Sequence, residues 1–254
     1  IRKFITYIFS SNVPEVLPIV LTAMFNLPLA LSVKHMLAID LVTDTLPGLA
    51  LGAEKPEPDV LTRPPRSRHN PIINQSLIRR SFLWLGLIET ALAYSGFFLV
   101  HALADGRLSA VVRGIPGLRA DDFVITGSEA DVRLLAMTVF FAGVVMAQLG
   151  NIFACRTEIH RGRALGWFSN LPLLAAGGGA LLMLLALVYL PPLAHLFQHR
   201  PIPPILWIWL GTYPFIIYGL DWLRKQVMRA KYHNGSKQNC VDLSKKRKPV
   251  EEAR

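Results

Sequence analysis

Read for hydrophobic and polar positions, the chain falls into six apolar stretches separated by polar loops. They lie at about residues 4–25, 33–52, 81–103, 134–153, 168–190 and 205–223. Between Phe82 and Leu103 the only acidic, basic or imidazole side chains are Glu89 and His101, and between Phe168 and Leu190 there are none. Apolar runs of roughly 18 residues or more are long enough to cross a bilayer as α-helix. The pattern predicts an all-α, polytopic membrane protein, a six-helix bundle over residues 1–230. The first two stretches are unlike the rest. They contain Asn12, Pro14, Glu15, Pro18, Asp40, Thr43, Asp44 and Pro47, a poor composition for contact with lipid.

Composition agrees. Hydrophobic residues make up 52% and charged residues 17%, where a soluble domain carries about a quarter charged; mean hydropathy is +0.38. A soluble enzyme is excluded. The net charge of +10 would suggest nucleic acid in a soluble protein, but basic residues also collect in the cytoplasmic loops of membrane proteins. Of the 27 Lys and Arg residues, 21 fall in residues 1–3, 53–80, 154–167 and 224–254. These segments are therefore expected on the cytoplasmic side with both termini, and no nucleic-acid partner is expected. Asp105–Ala130 is expected on the opposite face, and residues 231–254 as a basic, disordered tail. Cys155 and Cys240 are too few and too far apart for a disulfide framework or a metal site. Gly177-Gly178-Gly179 is expected to mark close helix packing. Phe140, Phe141, Trp207, Trp209 and Trp222 are expected in the core or at the membrane interface.

Candidate chemistry concentrates in the first two spans. Glu15 lies ten residues before the turn at Phe25–Pro28, and Asp40 seven residues after Val33. At 1.5 Å per residue these are depths of about 15 and about 10 Å, with Asp44 at about 16 Å. Asn12 and Glu15 share one helical face; Asp40, Thr43 and Asp44 share another. No Lys or Arg lies at that depth on either helix. Buried carboxylates without basic partners call for cations or protons, and carboxylate, amide and hydroxyl oxygens suit hard cations. Pro14 and Pro47 lack the amides that would bond the carbonyls of Ser10 and Thr43, which adds backbone oxygens as candidate ligands. Pro18 alone reads as a kink in a packed bundle. Gln148 and Asn151, spaced i,i+3 on the fourth span, are either interhelical glue or part of the site. Glu89 is expected outside the site, in a structural or proton-accessible role.

The segment Ser10-Ser11-Asn12-Val13-Pro14-Glu15 resembles the fifth membrane helix of P-type cation-transporting ATPases. Asp40-Leu41-Val42-Thr43-Asp44-Thr45-Leu46-Pro47 resembles the sixth. Ala50-Leu51-Gly52, Pro58-Asp59 and Arg63-Pro64-Pro65-Arg66 are similar to the loop that follows it. The resemblance implies ligand roles for Asn12, Glu15, Asp40, Thr43 and Asp44, with Gln148 and Asn151 as the polar pair of the eighth helix. Asp40 and Gln148 resemble the sodium/potassium and proton/potassium pumps. Val42 and the Arg63–Arg66 motif resemble the calcium pumps, so the cation could be calcium, sodium, potassium or another.

No Asp-Lys-Thr-Gly-Thr phosphorylation motif occurs, and no Gly-rich nucleotide loop. The chain opens at Ile1 and is expected to be the membrane half of a plasma-membrane or bacterial inner-membrane pump. Its expected partners are the lipid bilayer and the missing catalytic and actuator domains with the first four membrane helices. ATP and magnesium would act only through those domains, and this chain alone is not expected to hydrolyse ATP. A stand-alone secondary transporter or channel, or a non-transporting truncated fragment, is the rival reading.

Overall fold

The structure, a computed structural model, describes residues 1–26, 28–56, 71–105, 127–158, 165–166 and 168–229. The Pro58-Asp59 and Arg63–Arg66 motifs, most of Asp105–Ala130 and the tail with Cys240 lie outside them. Every regular element among the described residues is helical. The first span is α1 (Arg2–Ser11) continued by α2 (Val13–Phe25), joined at Asn12. The second is α3 (Val33–Ala38), a π-helical segment (Ile39–Asp44) and α4 (Thr45–Gly52). The third is α5 (Gln75–Ile78), a second π-helical segment (Arg79–Gly86) and α6 (Leu87–Ala104). Then come α7 (Glu129–Cys155), α8 (Leu171–Tyr189), α9 (Pro191–Phe197), α10 (Pro204–Gly211) and α11, residues 213–229.

Four of these helical stretches are long and apolar enough to cross a membrane: Arg2–Phe25, Gln75–Ala104, Glu129–Cys155 and Leu171–Tyr189. The other two expected spans are interrupted or polar. The second carries Lys34, Asp40 and Asp44 and passes through a π-helical segment. The sixth is divided at Thr212, between α10 and α11.

Local chemistry explains the helix boundaries. Ser32 caps α3 in a reciprocal arrangement with His35, and the side chains of Asn74, Ser128 and Asn170 accept the amides of Leu77, Asp131 and Leu173. Each satisfies a donor that a helix start leaves without a partner. Pro47 cannot donate to the carbonyl of Thr43, so α-helical bonding is interrupted just upstream. There the backbone opens into π-helix and the Thr45 hydroxyl donates to the Asp40 carbonyl at 2.7 Å.

The longest helix, α7, is the axis of the bundle. Val139, Phe140, Phe141, Ala142, Val144 and Ala147 have no exposed surface. Close approach to α6 depends on missing side chains: a Cβ on Gly143 would lie 3.2 Å from the Ala93 Cα, and one on Gly96 would lie 3.0 Å from Val139. The triple glycine of α8 behaves differently from expectation. A Cβ on Gly177 would meet Leu149 and Ile152, while no described residue lies within 4 Å of the Cβ position at Gly178 or Gly179. Both of these are exposed on α8. Of the expected core or interface aromatics, Phe140 and Phe141 are core, and Trp209 and Trp222 lie at the surface.

One end of the bundle is closed by buried ion pairs. Asp221, with no exposed side-chain surface, pairs with Arg80 at 3.1 Å, Lys225 at 2.7 Å and Arg224 at 2.8 Å. Arg80 and Lys225 also donate to the Ala154 carbonyl, at 2.9 and 2.7 Å, and so neutralise the C-terminal end of α7. Beside them Arg156 grips both carboxylate oxygens of Glu54, at 2.8 and 3.2 Å, and Asn170 donates to the same group at 3.1 Å. Arg2 pairs with Glu158, and Lys3 donates to the Lys55 carbonyl. The segments expected to share one side of the membrane are thus tied together at one end.

Removing one member of a buried ion cluster leaves uncompensated charge, at a cost of about 3–5 kcal/mol. Asp221→Ala is therefore expected to lower the thermal unfolding midpoint of the detergent-solubilised protein markedly; an unchanged midpoint would show that the cluster is not a structural tie. The Glu54 carboxyl is buried, which by itself would raise its titration point, but its bonds to Arg156 and Asn170 prevail and hold it below the ordinary 4.5. A carboxyl depressed on folding stabilises the fold above its unfolded value, and that contribution is lost as pH falls through the folded value. The stability gap between wild type and Glu54→Gln should thus be full above about pH 5 and close as pH drops below 4.5. Melting curves across that range would measure it, and a gap that widened toward acid would contradict the assignment.

Candidate cation site

The site is built where α1–α2 meets the broken second span. The buried stripe of the first span is Tyr7, Ser10, Ser11, Pro14, Glu15 and Pro18, a spacing that puts all six on one helical face. This face meets the π-helical segment, with Thr43 and Asp44 buried and Asp40 at an exposed edge. Carboxylate oxygens of Glu15, Asp40 and Asp44 lie within 4.8 Å of one another. Three acids that close repel strongly unless a cation or protons stand between them.

Hydrogen bonding leaves this centre incomplete. The Tyr7 hydroxyl donates to Asp44 Oδ1 at 3.0 Å, while Asp44 Oδ2 and Glu15 Oε1 are buried without a hydrogen-bond partner among the described residues. Among the described residues no basic side chain forms an ion pair with any of the three. Thr43 donates its hydroxyl to the Ile39 carbonyl at 2.8 Å, which leaves the oxygen free as an acceptor. The chemistry available is an oxygen-only, anionic cluster, which suits a hard cation.

The remaining predicted residues take different places. Asn12 is half-buried at the α1–α2 junction. Asn151 links helices: its Nδ2 donates to Ser10 Oγ at 2.6 Å, and its Oδ1 accepts from Cys155 Sγ at 3.3 Å. Gln148, one turn away, is buried, and neither of its amide atoms has a hydrogen-bond partner among the described residues. The sequence reading passed over Tyr7, although it lies on the Ser11–Pro14–Glu15 stripe and the helical period alone could have found it. Glu89, expected outside the site in a structural or proton-accessible role, is on α6 with no exposed surface.

An all-helical membrane domain with an unpaired acidic centre is the class these features define. The description "Cation transporting ATPase, C-terminus" matches residues 28–227. The chain is 28% identical over 242 residues to a sodium/potassium-transporting ATPase subunit alpha-3 of Gallus gallus, covering 90% of this chain and 24% of that protein. It is 33% identical over 212 residues to a calcium-transporting ATPase of Bacillus subtilis, covering 82% of this chain and 20% of that protein. An alpha-1 subunit of Oreochromis mossambicus is 26% identical over 250 residues. The chain therefore belongs to the cation-transporting ATPase family. It spans about a quarter of the length of these relatives.

Proposed function

We propose that this chain is the membrane-embedded, cation-binding and translocating part of an ATP-driven cation pump. The observation that carries the reading is the convergence of Glu15, Asp40 and Asp44 within 4.8 Å, without a basic partner, in a member of this family. Glu15, Asp40 and Asp44 supply charge to the cation. Thr43 and Asn12 add neutral oxygens, and Gln148 and Asn151 extend the polar surface across α7. Sodium, potassium and calcium are the candidates, as the relatives' names indicate for those proteins. ATP and magnesium act through the parts of the pump outside this chain, whose conformational cycle alternates access to the site. The basic end of the bundle faces the cytoplasm with both chain termini, in a plasma or bacterial inner membrane, in line with the inside preference of Lys and Arg.

Asp44→Asn keeps the size of the side chain and one carbonyl oxygen but removes a unit charge. At an effective dielectric of about 20, a charge pair 4 Å apart is worth about 4 kcal/mol. Even with partial compensation, apparent cation affinity should fall at least ~100-fold. Cation titration of phosphoenzyme formation, in membranes holding the full-length pump, would measure this. Wild-type affinity in a normally inserted Asp44→Asn variant would refute the site. Orientation is tested separately: Cys240 should resist an impermeant thiol reagent applied outside sealed cells, and external labelling would reverse the assigned sidedness.

A further inference from the structure

The end of the bundle opposite the ion cluster carries chemistry of its own. The second span starts there with α3 and runs to Glu54 at the ion-paired end. Lys34 Nζ donates to the Leu196 carbonyl at 3.1 Å, and His35 Nε2 lies 3.0 Å from the Phe197 carbonyl. These are the last carbonyls of α9, which a helix end leaves without a partner in its own helix. The His35 ring also accepts the Ser32 amide at Nδ1, at 3.4 Å. One ring nitrogen accepts and the other faces a carbonyl, so the bonds assign the neutral tautomer protonated at Nε2.

A second imidazole lies against the first. The His35 and His199 rings are stacked 4.7 Å apart at 25°, and Phe141 of α7 packs on them at 5.5 and 4.8 Å. His199 Nδ1 lies 3.0 Å from the Leu187 carbonyl, while Nε2 is buried without a hydrogen-bond partner among the described residues. His35 is 2% exposed and His199 6%. The charged and titratable groups about the pair are Lys34 on α3 and, around a cavity of about 530 Å³ that His199 lines, Tyr189, His195 and Arg200. Arg200 is paired with Asp131 of α7, and among the described residues no carboxylate bonds to either ring. Burial pushes the His199 imidazole below its ordinary 6.5, against the pull of its bond to the Leu187 carbonyl. A proton on His35 Nδ1 would expel the Ser32 amide and break the cap of α3. A proton on His199 Nε2 would add a buried donor with no acceptor, against a stacked ring. The clasped geometry therefore needs both rings neutral.

We propose that His35 is a positioning residue for the cation site: as a neutral ring stacked on His199 it clasps the end of α9 to the start of the second span, and it holds Asp40 and Asp44 in register with Glu15 until acid releases it. The proposal rests on the reading of the three acids as a cation site. Position is transmitted along the backbone, because α3 passes at Ile39 directly into the π-helical segment that carries Asp40, Thr43 and Asp44. A released imidazole titrates near its ordinary value of about 6.5. The clasped form is therefore fully favoured above that value and loses up to about tenfold per pH unit below it.

Equilibrium binding of radiolabelled sodium, rubidium and calcium, each alone, to the full-length pump in membranes at about pH 7.5 and about pH 5.5 tests this. Direct protonation of the three acids weakens binding alike in every variant that keeps them, so the comparison is between variants. The amide of His35→Gln can accept from Ser32 and donate to Phe197 but does not titrate. This variant should match wild type within about threefold at the higher pH and lose about five- to tenfold less affinity on acidification. His35→Leu, which can make neither bond, should already bind about five- to tenfold more weakly than wild type at the higher pH. Equal acid losses in wild type and His35→Gln overturn the proposal, and this comparison stands alone if His35→Leu fails to accumulate. Wild-type affinity in His35→Leu at the higher pH overturns it as well. Undiminished binding in Asp44→Asn, or binding of none of the three ions by wild type, would instead bring down the three-acid site and the clasp's role with it.

Discussion

Carboxylates in a membrane interior must be partnered, because transferring an unpaired charge out of water is too unfavourable for a marginally stable fold to bear. In this bundle the rule is obeyed in two ways. At one end, Glu54 and Asp221 are each held by a guanidinium, and their charges are neutralised within the protein. Farther along the bundle, Glu15, Asp44 and Glu89 are buried with oxygens that have no hydrogen-bond partner among the described residues. The first arrangement fixes the frame. On the proposed reading, the second takes its balancing charge from a cation or proton supplied from solution.

The frame also fixes where the acids stand. The axis α7 fits against α6 through Gly143 and Gly96, and its C-terminal end is anchored by Arg80, Lys225 and Asp221. Asn151 ties it to Ser10 on α1. With those contacts made, the π-helical segment before Pro47 presents Asp40 and Asp44 to Glu15 while backbone bonding is already disturbed. Irregular helix at functional positions is a recurring device, since it re-aims side chains by a fraction of a turn.

Much of this was legible in the sequence because it is local. Apolar length marked the long spans, and helical period with the absence of basic residues singled out Glu15, Asp40 and Asp44 as a converging set. Pro47 announced disturbed backbone, though not its form as a π-helical segment with Asp40 at an exposed edge. What escaped is what depends on partners far along the chain. Glu54 meets Arg156 across 102 residues and Arg80 meets Asp221 across 141; no period or spacing encodes such pairs. Glu89 was visible as a lone acid in an apolar run, but its facing is set by Gly86 fitting against Val13, a fact of packing. The glycine triplet differs from expectation for the same reason, since composition does not reveal that at two of its positions no described residue lies within 4 Å of where a Cβ would be.

The central claim, that a transported cation sits among Glu15, Asp40 and Asp44, is most directly tested by locating the ion. Anomalous diffraction from crystals of the full-length pump soaked in rubidium, and separately in calcium, would do so. The account predicts an anomalous peak within oxygen-coordination distance of all three carboxylates. Peaks confined to other parts of the membrane domain, with these carboxylates vacant at saturating ion, would contradict it.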